Sequence, residues 1–192
     1  PTRPPTGRGA PSPGLRPASP GHVLLAAGAG SRYEGSGHKW SAGIVEPGTG
    51  RTGTVIERAL ASALASDVGP VVVVTGAVPD IVPESLADAV TSHHNPRWAD
   101  GQITSVRAGI EAARALGATA VVVGLADQPF IEPSAWCAVA DTPGQIVVAT
   151  YDGRRANPVK LDAEVWDLLP TTGDEGARAL MRVRPDLVRE VA

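Results

Sequence analysis

The sequence has little cysteine, no long apolar run and no excess of positive charge, and each of these features marks a class of proteins. Its 192 residues include one cysteine, Cys137, which excludes an internal disulfide framework and a zinc site built from several thiolates. No apolar run approaches the ~18 residues that a membrane-spanning helix needs. Charged residues make up only 19% of the chain and the net charge is -3, so no overall positive field attracts nucleic acid. These absences favour a cytoplasmic globular protein that binds neither nucleic acid nor membrane.

Proline, glycine and arginine dominate residues 1–20, which have almost no apolar side chains to bury. Such a segment cannot offset its ordering entropy by burial, and it lacks the apolar core of a secretory signal. We therefore predict a disordered leader at 1–20 and one domain at 21–192. The 43% of hydrophobic residues is enough for a sizeable core. Because the sequence begins without an initiator methionine and stops at Ala192 after a strand-like run, we expect a fragment of a longer protein.

From residue 21 onward, apolar strand patterns alternate with helical ones. Asp152-Gly153 lies between two of the later strands and is typical of a hairpin turn. This alternation predicts an α/β, Rossmann-like fold, with a mostly parallel sheet, helices on both faces and a late β-hairpin. The predicted strands are 22–27, 70–75, 120–125, 145–150, a partner strand ending near 161, and 187–191. The predicted helices are 54–66, 83–90, 102–116, 133–140, 162–169 and 175–183.

The first predicted strand runs into a glycine-rich turn that is followed by Arg32 and Lys39. Ligands of such sheets bind at the carboxyl ends of strands, and glycines let backbone N–H groups approach an anion closely. The two cations add the positive charge that a polyphosphate requires, although a tight turn with two surface cations explains the same residues. A dinucleotide fingerprint and a Walker loop both fail, because Tyr33 and Ser36 stand where glycine and lysine belong. The turn consists of Leu25, Ala26, Ala27, Gly28, Ala29 and Gly30.

Two further loops carry candidate site residues. Asp127 follows the apolar strand 120–125, where a carboxylate is costly to desolvate unless a cation such as Mg²⁺ meets it. A turn cap is the alternative role for Asp127. The segment from Asn95-Pro96 to Gly101 precedes the predicted helix 102–116. The N-terminus of that helix is suited to a ligand anion, although Asn-Pro is also ordinary turn chemistry.

Five motifs occur in a characteristic order: the glycine-rich turn with Lys39, then 95–105, then 125–129, then Asn157-Pro158, then 173–178. Their order and spacing resemble those of the MobA-like nucleotidyltransferases over residues 22–183. Five ordered motifs are more specific than any one of them. The first loop reads Leu-Ala-Ala-Gly rather than the Leu-Ala-Gly-Gly of guanylyltransferase relatives. The resemblance is therefore closest to the molybdenum cofactor cytidylyltransferase branch.

The resemblance implies a Mg²⁺-dependent enzyme that moves CMP from CTP to a phosphorylated acceptor of the molybdopterin type and releases pyrophosphate. It implies that Asp127 binds the metal and that Lys39, Arg32 and Asp127 carry the catalysis. Nucleotide contacts are implied for Leu25, Ala26, Ala27, Gly28, Ala29, Gly30, Arg32, Lys39, Asn95, Gly101 and Ser105. The acceptor side is implied for Asn157, Pro158 and Asp174.

Two departures from the family pattern support an alternative, a MobA-like domain that binds nucleotide or a partner without turnover. Residues 40–46 replace the usual leucines and proline after the motif lysine. The aspartate-rich stretch that supplies a second metal ligand after the last strand is not among the 192 residues.

The expected chemistry needs few specialised groups. An acceptor phosphate is already ionised at pH 7, so catalysis reduces to aligning it with the α-phosphorus and neutralising charge on pyrophosphate. No serine, histidine and aspartate grouping is needed. His93 and His94 are interpreted as surface loop residues that do not share a metal. Cys137 is expected to pack as a small hydrophobe, and the tryptophans are expected to pack in the core: Trp40, Trp98, Trp136 and Trp166.

Overall fold

A twisted central sheet organises the protein. The computed structural model describes residues 19–30, 38–45, 48, 50 and 52–192. Within this part of the chain, seven strands form the sheet in the order β5-β4-β1-β6-β8-β7-β9, and all run parallel except β8. The strands are β1 (Gly21–Ala26), β4 (Val71–Thr75), β5 (Thr91–His94), β6 (Ala120–Leu125), β7 (Ile146–Tyr151), β8 (Arg154–Asp162) and β9 (Val188–Val191). The predicted α/β fold with a late hairpin, β7–β8, is confirmed.

Helices cover both faces of the sheet because its central strands are apolar on both sides. Val23 and Leu25 of β1 pack in one layer, with α2 (Gln102–Ala115) and α4 (Arg178–Val183). Leu24 and Ala26 pack in the other layer, with α1 (Val55–Ala65) and α3 (Pro133–Asp141). A strand buried on both faces reads as a continuous apolar run, which is why the sequence indicated these strands. No helix among the described residues is long and apolar enough to cross a membrane.

The tryptophans and the single cysteine occupy different environments. Trp40, Trp136 and Trp166 are buried in the two cores, as expected. Trp98 is only half-buried and belongs to neither core, so its assignment to the core is wrong. Cys137 is half-buried, and its Sγ donates a hydrogen bond to the Ser66 carbonyl at 3.4 Å.

Several predicted elements differ from the structure. Residues Glu84–Ala89 and Ala163–Leu168 form 3₁₀ rather than α-helices, although Asp162 caps the second through the Glu164 amide. The last helix begins at Arg178, three residues later than predicted. His93 and His94 lie in the edge strand β5 rather than in a loop, because β5 pairs in parallel with β4. The sequence did not indicate the antiparallel pair β2 (Gly43–Val45) and β3 (Thr52–Thr54).

The connections of the sheet leave a crevice between β1 and β6. From β1 the chain builds β4 and then β5 outward on one side, and it then returns to place β6 on the other side of β1. The chain after β1 runs towards β4 and the chain after β6 runs towards β7, in opposite directions along the sheet, and the carboxyl ends of such strands are where open α/β sheets bind their ligands. The Ala126 amide donates to the Leu25 carbonyl at 3.0 Å and joins the two strand ends. Residues 1–18 of the predicted leader lie outside the described part, so the domain division stays a prediction.

Candidate functional site

Lys39 and Asp127 meet at the crevice. Lys39 begins a 3₁₀ turn, Lys39–Ser41, after the glycine-rich loop, and Asp127 lies two residues beyond β6. The Lys39 Nζ is 2.8 Å from Asp127 Oδ2, and the two side chains remain 29% and 42% exposed. The structure thus brings together two predicted catalytic residues that are 88 positions apart in the sequence. Both charges remain accessible to a ligand.

The residues around Lys39 fix its position. Trp40 is 2% exposed, and the Lys39 Nζ lies 5.2 Å from the centroid of its ring, within cation–π distance. The His38 ring lies 4.3 Å from that of Trp40, and its Nε2 is 3.1 Å from the Ala29 carbonyl oxygen. Trp40, the first residue of the segment that departs from the family pattern, therefore anchors Lys39 to the core, and His38 anchors it to the glycine-rich loop.

The glycine-rich loop changes from buried to exposed as it leaves β1. Leu25, Ala26 and Ala27 are buried, whereas Gly28 and Ala29 are exposed at the crevice. Gly30 has φ +65°, which favours glycine, and a Cβ there would make a tight contact of 3.0 Å with His38 Nε2. Arg32 lies outside the described residues, and its proposed role stays a prediction.

Asn95 and Ser105 come together, but their polar groups are already bonded within the protein. Asn95 is 4% exposed, and its Nδ2 donates to Thr104 Oγ1 and Ser105 Oγ, both at 2.9 Å. Its Oδ1 accepts from the Arg97 amide at 2.9 Å. These bonds hold the loop that leads into α2. The nucleotide contacts predicted for Asn95 and Ser105 remain predictions.

Gly101 joins the predicted nucleotide side to the predicted acceptor side. It has φ +110°, and a Cβ at this position would collide with the Gly173 carbonyl and lie 3.0 Å from Asp174 Oδ1. The Ile103 amide donates to the Gly173 carbonyl at 3.1 Å. The start of α2 and the loop that carries Asp174 are therefore packed directly against each other. Only glycine permits that approach.

A cavity of about 390 Å³ lies at the ends of β1 and β6, from which the glycine-rich loop and the Asp127 loop depart, and neither Lys39 nor Asp127 lines it. Leu25 and Leu125, from the ends of β1 and β6, line one side of it, and Asn157 of β8 lines another. The Asn157 Nδ2 donates to Gln128 Oε1 at 2.8 Å, which ties this wall to the loop that holds Asp127. Pro158, next to Asn157, is buried and follows a cis peptide bond.

Charged residues of this cavity were not identified from the sequence as site residues. Arg155, Arg178, Arg182 and Glu175 line it together with Asn157. Hydrogen bonding to Arg182 lowers the pKa of Glu175 from its ordinary value, so that carboxylate is ionised at neutral pH. The motif at 173–178 is the signal in the sequence that could have indicated Glu175 and Arg178.

The donor set at the crevice fits a divalent cation that a nucleotide shares. Within the described residues, no group of three or more histidine, cysteine, aspartate or glutamate side chains is placed to enclose a metal. Asp127 is the carboxylate that faces the crevice beside Lys39. Mg²⁺ is commonly held by one or two carboxylates together with water and substrate phosphates. Asp127 thus fits the role of one protein ligand to a metal–nucleotide complex.

Solved structures of similar fold include nucleotidyltransferases. A nucleotidyl transferase from Methanothermobacter thermautotroptrophicus aligns with a TM-score of 0.72 and 23% identity, over 90% of this chain and 85% of that one. Rv0371c from Mycobacterium tuberculosis, in complex with manganese, aligns with a TM-score of 0.68 and 23% identity, over 91% and 88%. The inositol-1-phosphate CTP transferase from T. maritima aligns with a TM-score of 0.67 and 15% identity, over 92% and 86%. At these identities the alignments establish the fold.

The family assignment comes from the sequence of the chain. Comparison with curated proteins gives no significant match. The family described as the MobA-like NTP transferase domain matches residues 22–189, which include the glycine-rich loop, Lys39, Asp127, Asn157 and Asp174. Because this match spans most of the chain, the protein belongs to the MobA-like NTP transferase domain family.

Proposed function

We propose that this member of the family transfers CMP from CTP to a phosphorylated acceptor of the molybdopterin type and releases pyrophosphate. The observation that carries the proposal is the exposed pair of Lys39 and Asp127, 2.8 Å apart at the crevice between β1 and β6. An ammonium group binds phosphate oxygens, and a carboxylate coordinates the divalent cation that accompanies a polyphosphate. The T. maritima neighbour is an inositol-1-phosphate CTP transferase, and its activity supports CTP as the nucleotide and a phosphate group on the acceptor.

The geometry suggests a division of labour among the residues of the chain. The exposed backbone of Gly28 and Ala29 would cradle the triphosphate, and Lys39 and Arg32 would balance its charge. Asp127 would hold Mg²⁺, which supplies electrostatic stabilisation of the phosphate oxygens when it is bound. An oxygen of the acceptor phosphate attacks the α-phosphorus, the bond to the bridging β-phosphate oxygen breaks, and pyrophosphate leaves. No general base is required, since the attacking oxygen is already ionised at neutral pH.

The acceptor is assigned to the cavity on the other side of the crevice. Its apolar wall includes Val106, Val123 and Val148, and its polar wall includes arginines and Asn157. A phosphorylated compound with a flat ring system, whose faces carry no hydrogen-bonding groups, suits this combination better than a polyol phosphate, whose hydroxyl groups would face the valines without partners. The molybdopterin type of acceptor is the one proposed for this reason and for the sequence resemblance.

A nucleotide-binding domain without turnover is the second candidate. It is favoured by the single carboxylate at the crevice and the lack, among the described side chains, of a cluster that would enclose a metal. The two functions differ in one measurable product, because only the enzyme releases pyrophosphate.

The test is a matrix of nucleotides and acceptors. CTP, GTP, UTP and ATP would each be incubated with Mg²⁺ or Mn²⁺ and with molybdopterin, inositol 1-phosphate or no acceptor, and pyrophosphate would be measured. The proposal predicts the fastest release from CTP with molybdopterin. Binding of CTP without release in any combination would favour the second candidate. If calorimetry detects no nucleotide binding at all, both functions are wrong.

A further inference from the structure

Three arginines line the cavity beside the crevice, and two of them are neutralised by carboxylates. The Arg155 Nε lies 2.7 Å from Glu190 Oε1. Arg182 makes a bidentate salt bridge with Glu175, with both N–O distances at 2.7 Å. The Arg178 side chain makes no ion pair or hydrogen bond within the described residues, although its charge helps to lower the pKa of Glu175. Three cations thus face two carboxylates, and one positive charge is left for a ligand.

The position of Arg178 gives it no evident structural role. It is the first residue of α4, where a cation gains nothing from the helix dipole. Its side chain is exposed, and it follows Gly176, whose φ of +56° turns the chain against Gln102 at the start of α2. The turn therefore places Arg178 at the cavity. The packing of α4 against the core depends instead on Leu180 and Met181.

The free guanidinium faces a cavity whose other wall is apolar. Val106, Val123, Val148 and Met181 belong both to the lining and to the hydrophobic core behind it. A guanidinium binds phosphate oxygens through two parallel N–H donors, whereas the apolar wall favours the face of a flat ring, which carries no hydrogen-bonding groups. The combination selects a phosphate monoester with a flat ring.

We infer that Arg178 is a specificity-determining residue that binds the phosphate of the acceptor in this cavity. The inference rests on the proposed nucleotidyl transfer and adds a residue that recognises the acceptor. The cavity is connected to the crevice through Leu25, Leu125 and the hydrogen bond from Asn157 to Gln128, the residue after Asp127. Arg178 thus binds the phosphorylated acceptor, while Lys39 binds the triphosphate of the nucleotide.

The test uses phenyl phosphate as a probe with one phosphate and an apolar ring. Its dissociation constant would be measured by NMR titration for the wild-type chain and for Arg178→Gln, Arg178→Lys and Arg154→Gln. Arg154 is the matched control, since it is exposed, has no ion pair among the described residues and lies outside the cavity. Loss of a charge-assisted hydrogen bond should weaken binding about tenfold or more in Arg178→Gln. Arg178→Lys should recover part of the affinity, and Arg154→Gln should bind like the wild type.

Further measurements separate this inference from the proposed function. Inositol 1-phosphate should bind more weakly than phenyl phosphate to the wild type, because its hydroxyl groups face the valines. CTP affinity, measured by calorimetry with Mg²⁺, should be the same in Arg178→Gln and the wild type. If phenyl phosphate binding is unchanged in Arg178→Gln, or is lost equally in Lys39→Met, the inference is wrong even when CTP binds as proposed. A chain that binds phenyl phosphate through Arg178 but never binds CTP would instead contradict the proposed function.

Discussion

At the scale of single residues, the contact between Lys39 and Asp127 is better explained by ligand chemistry than by stability. An exposed ion pair contributes only about 0–1 kcal/mol, and these two side chains are 29% and 42% exposed. Removing either charge should therefore change the free energy of unfolding by little. The effect on the reaction should be large, because each charge has a different partner in the bound state.

Asp127→Asn should abolish metal-dependent pyrophosphate release and barely change the melting temperature. Asparagine preserves the shape and the capacity to cap a turn, but it lacks the formal charge that a divalent cation requires. Pyrophosphate release from CTP and thermal unfolding would be measured together, with Asp167→Asn as the control at an exposed aspartate of the 163–168 turn. A variant that melts like the wild type and still turns over at the wild-type rate would mean that Asp127 is a structural cap.

Lys39→Met should weaken CTP binding and strengthen the binding of Mn²⁺ alone. The ammonium is 2.8 Å from Asp127 Oδ2, so its removal frees that carboxylate for a cation while it deprives the triphosphate of a positive charge. Calorimetry should show CTP affinity lowered by about tenfold, the value of one charge-assisted contact, and paramagnetic relaxation should show tighter Mn²⁺ binding. Arg189→Met, at an exposed arginine of β9, should change neither value. Unchanged CTP affinity would remove Lys39 from the phosphate site.

Ala27 should restrict the size of the nucleotide base that the site accepts. We predict that the 26–28 backbone lies against it, with the Ala27 methyl group narrowing the space, so CTP should compete better than GTP. Ala27→Gly should improve GTP binding relative to CTP in a competition assay. Ala26→Gly is the matched control, since Ala26 packs in the α1–α3 core and its change should lower stability without altering the preference. Equal or better binding of GTP by the wild type would favour a guanylyl transferase.

At the scale of elements, the sequence indicated the structures that bury an apolar pattern and missed those that do not. The strands β1, β4 and β6 are buried apolar runs, and their predicted bounds agree with the structure to within one residue. The edge strand β5 reads Thr-Ser-His-His and has no apolar pattern to recognise. Strands β2 and β3 have three residues each, too few to show a period. A short helical pattern also cannot distinguish 3₁₀ from α geometry, as at 84–89 and 163–168.

The loops of the candidate site that follow adjacent parallel strands were indicated by the sequence, whereas in β8 only the Asn157-Pro158 motif was indicated and Arg155 was missed. The loops that carry the glycines and Asp127 follow β1 and β6, which pair directly in the sheet. The cavity needs β8, which enters antiparallel between β6 and β7 and brings Arg155 and Asn157 with it. Nothing in the local pattern of β8 indicated that position. Arg178 also escaped the site prediction, although it lies within the 173–178 motif.

Gly109 tests the packing of α2 on the sheet. Alanine is favoured over glycine by about 1 kcal/mol inside a helix, but a Cβ at Gly109 would collide with Val23 and lie 3.0 Å from Val74 Cγ2. Both valines are fully buried in the central strands, so they cannot move without disturbing the core. Overpacking costs typically 1–3 kcal/mol, and we expect Gly109→Ala to lower the free energy of unfolding by up to about 2 kcal/mol net. Urea unfolding would measure it, and a variant more stable than the wild type would show that α2 has room to shift.

At the scale of the whole molecule, the two sides of the site rest on opposite faces of the sheet. Trp40, which positions Lys39, packs in the layer of α1 and α3. The cavity lining of Val106, Val148 and Met181 belongs to the layer of α2 and α4. The two halves meet at the carboxyl ends of β1 and β6. A nucleotide from one face and an acceptor from the other would therefore approach along different routes and react at the edge of the sheet.

His22 gives the folded molecule a dependence on pH that is independent of the site. Its ring is fully buried, 5.1 Å from the Trp136 ring, and its Nε2 is 2.9 Å from Ser66 Oγ. Burial lowers the pKa of His22 from 6.5 to about 4. The unfolded chain therefore binds a proton at a higher pH than the native protein, and stability falls as pH drops from about 6.5 towards 4.

The loss of stability at low pH can be measured by comparing the wild type with a variant that has no titrating group at position 22. A shift of this size corresponds to roughly 3 kcal/mol once the pH is below both pKa values. His22→Gln should have a lower free energy of unfolding at pH 7.5, because the contacts with Trp136 and Ser66 are altered. Between pH 6.5 and 4.5 it should lose less stability than the wild type, because glutamine takes up no proton. Urea unfolding at each pH gives both slopes, and parallel slopes would mean that His22 is protonated in the native state as readily as in the unfolded chain.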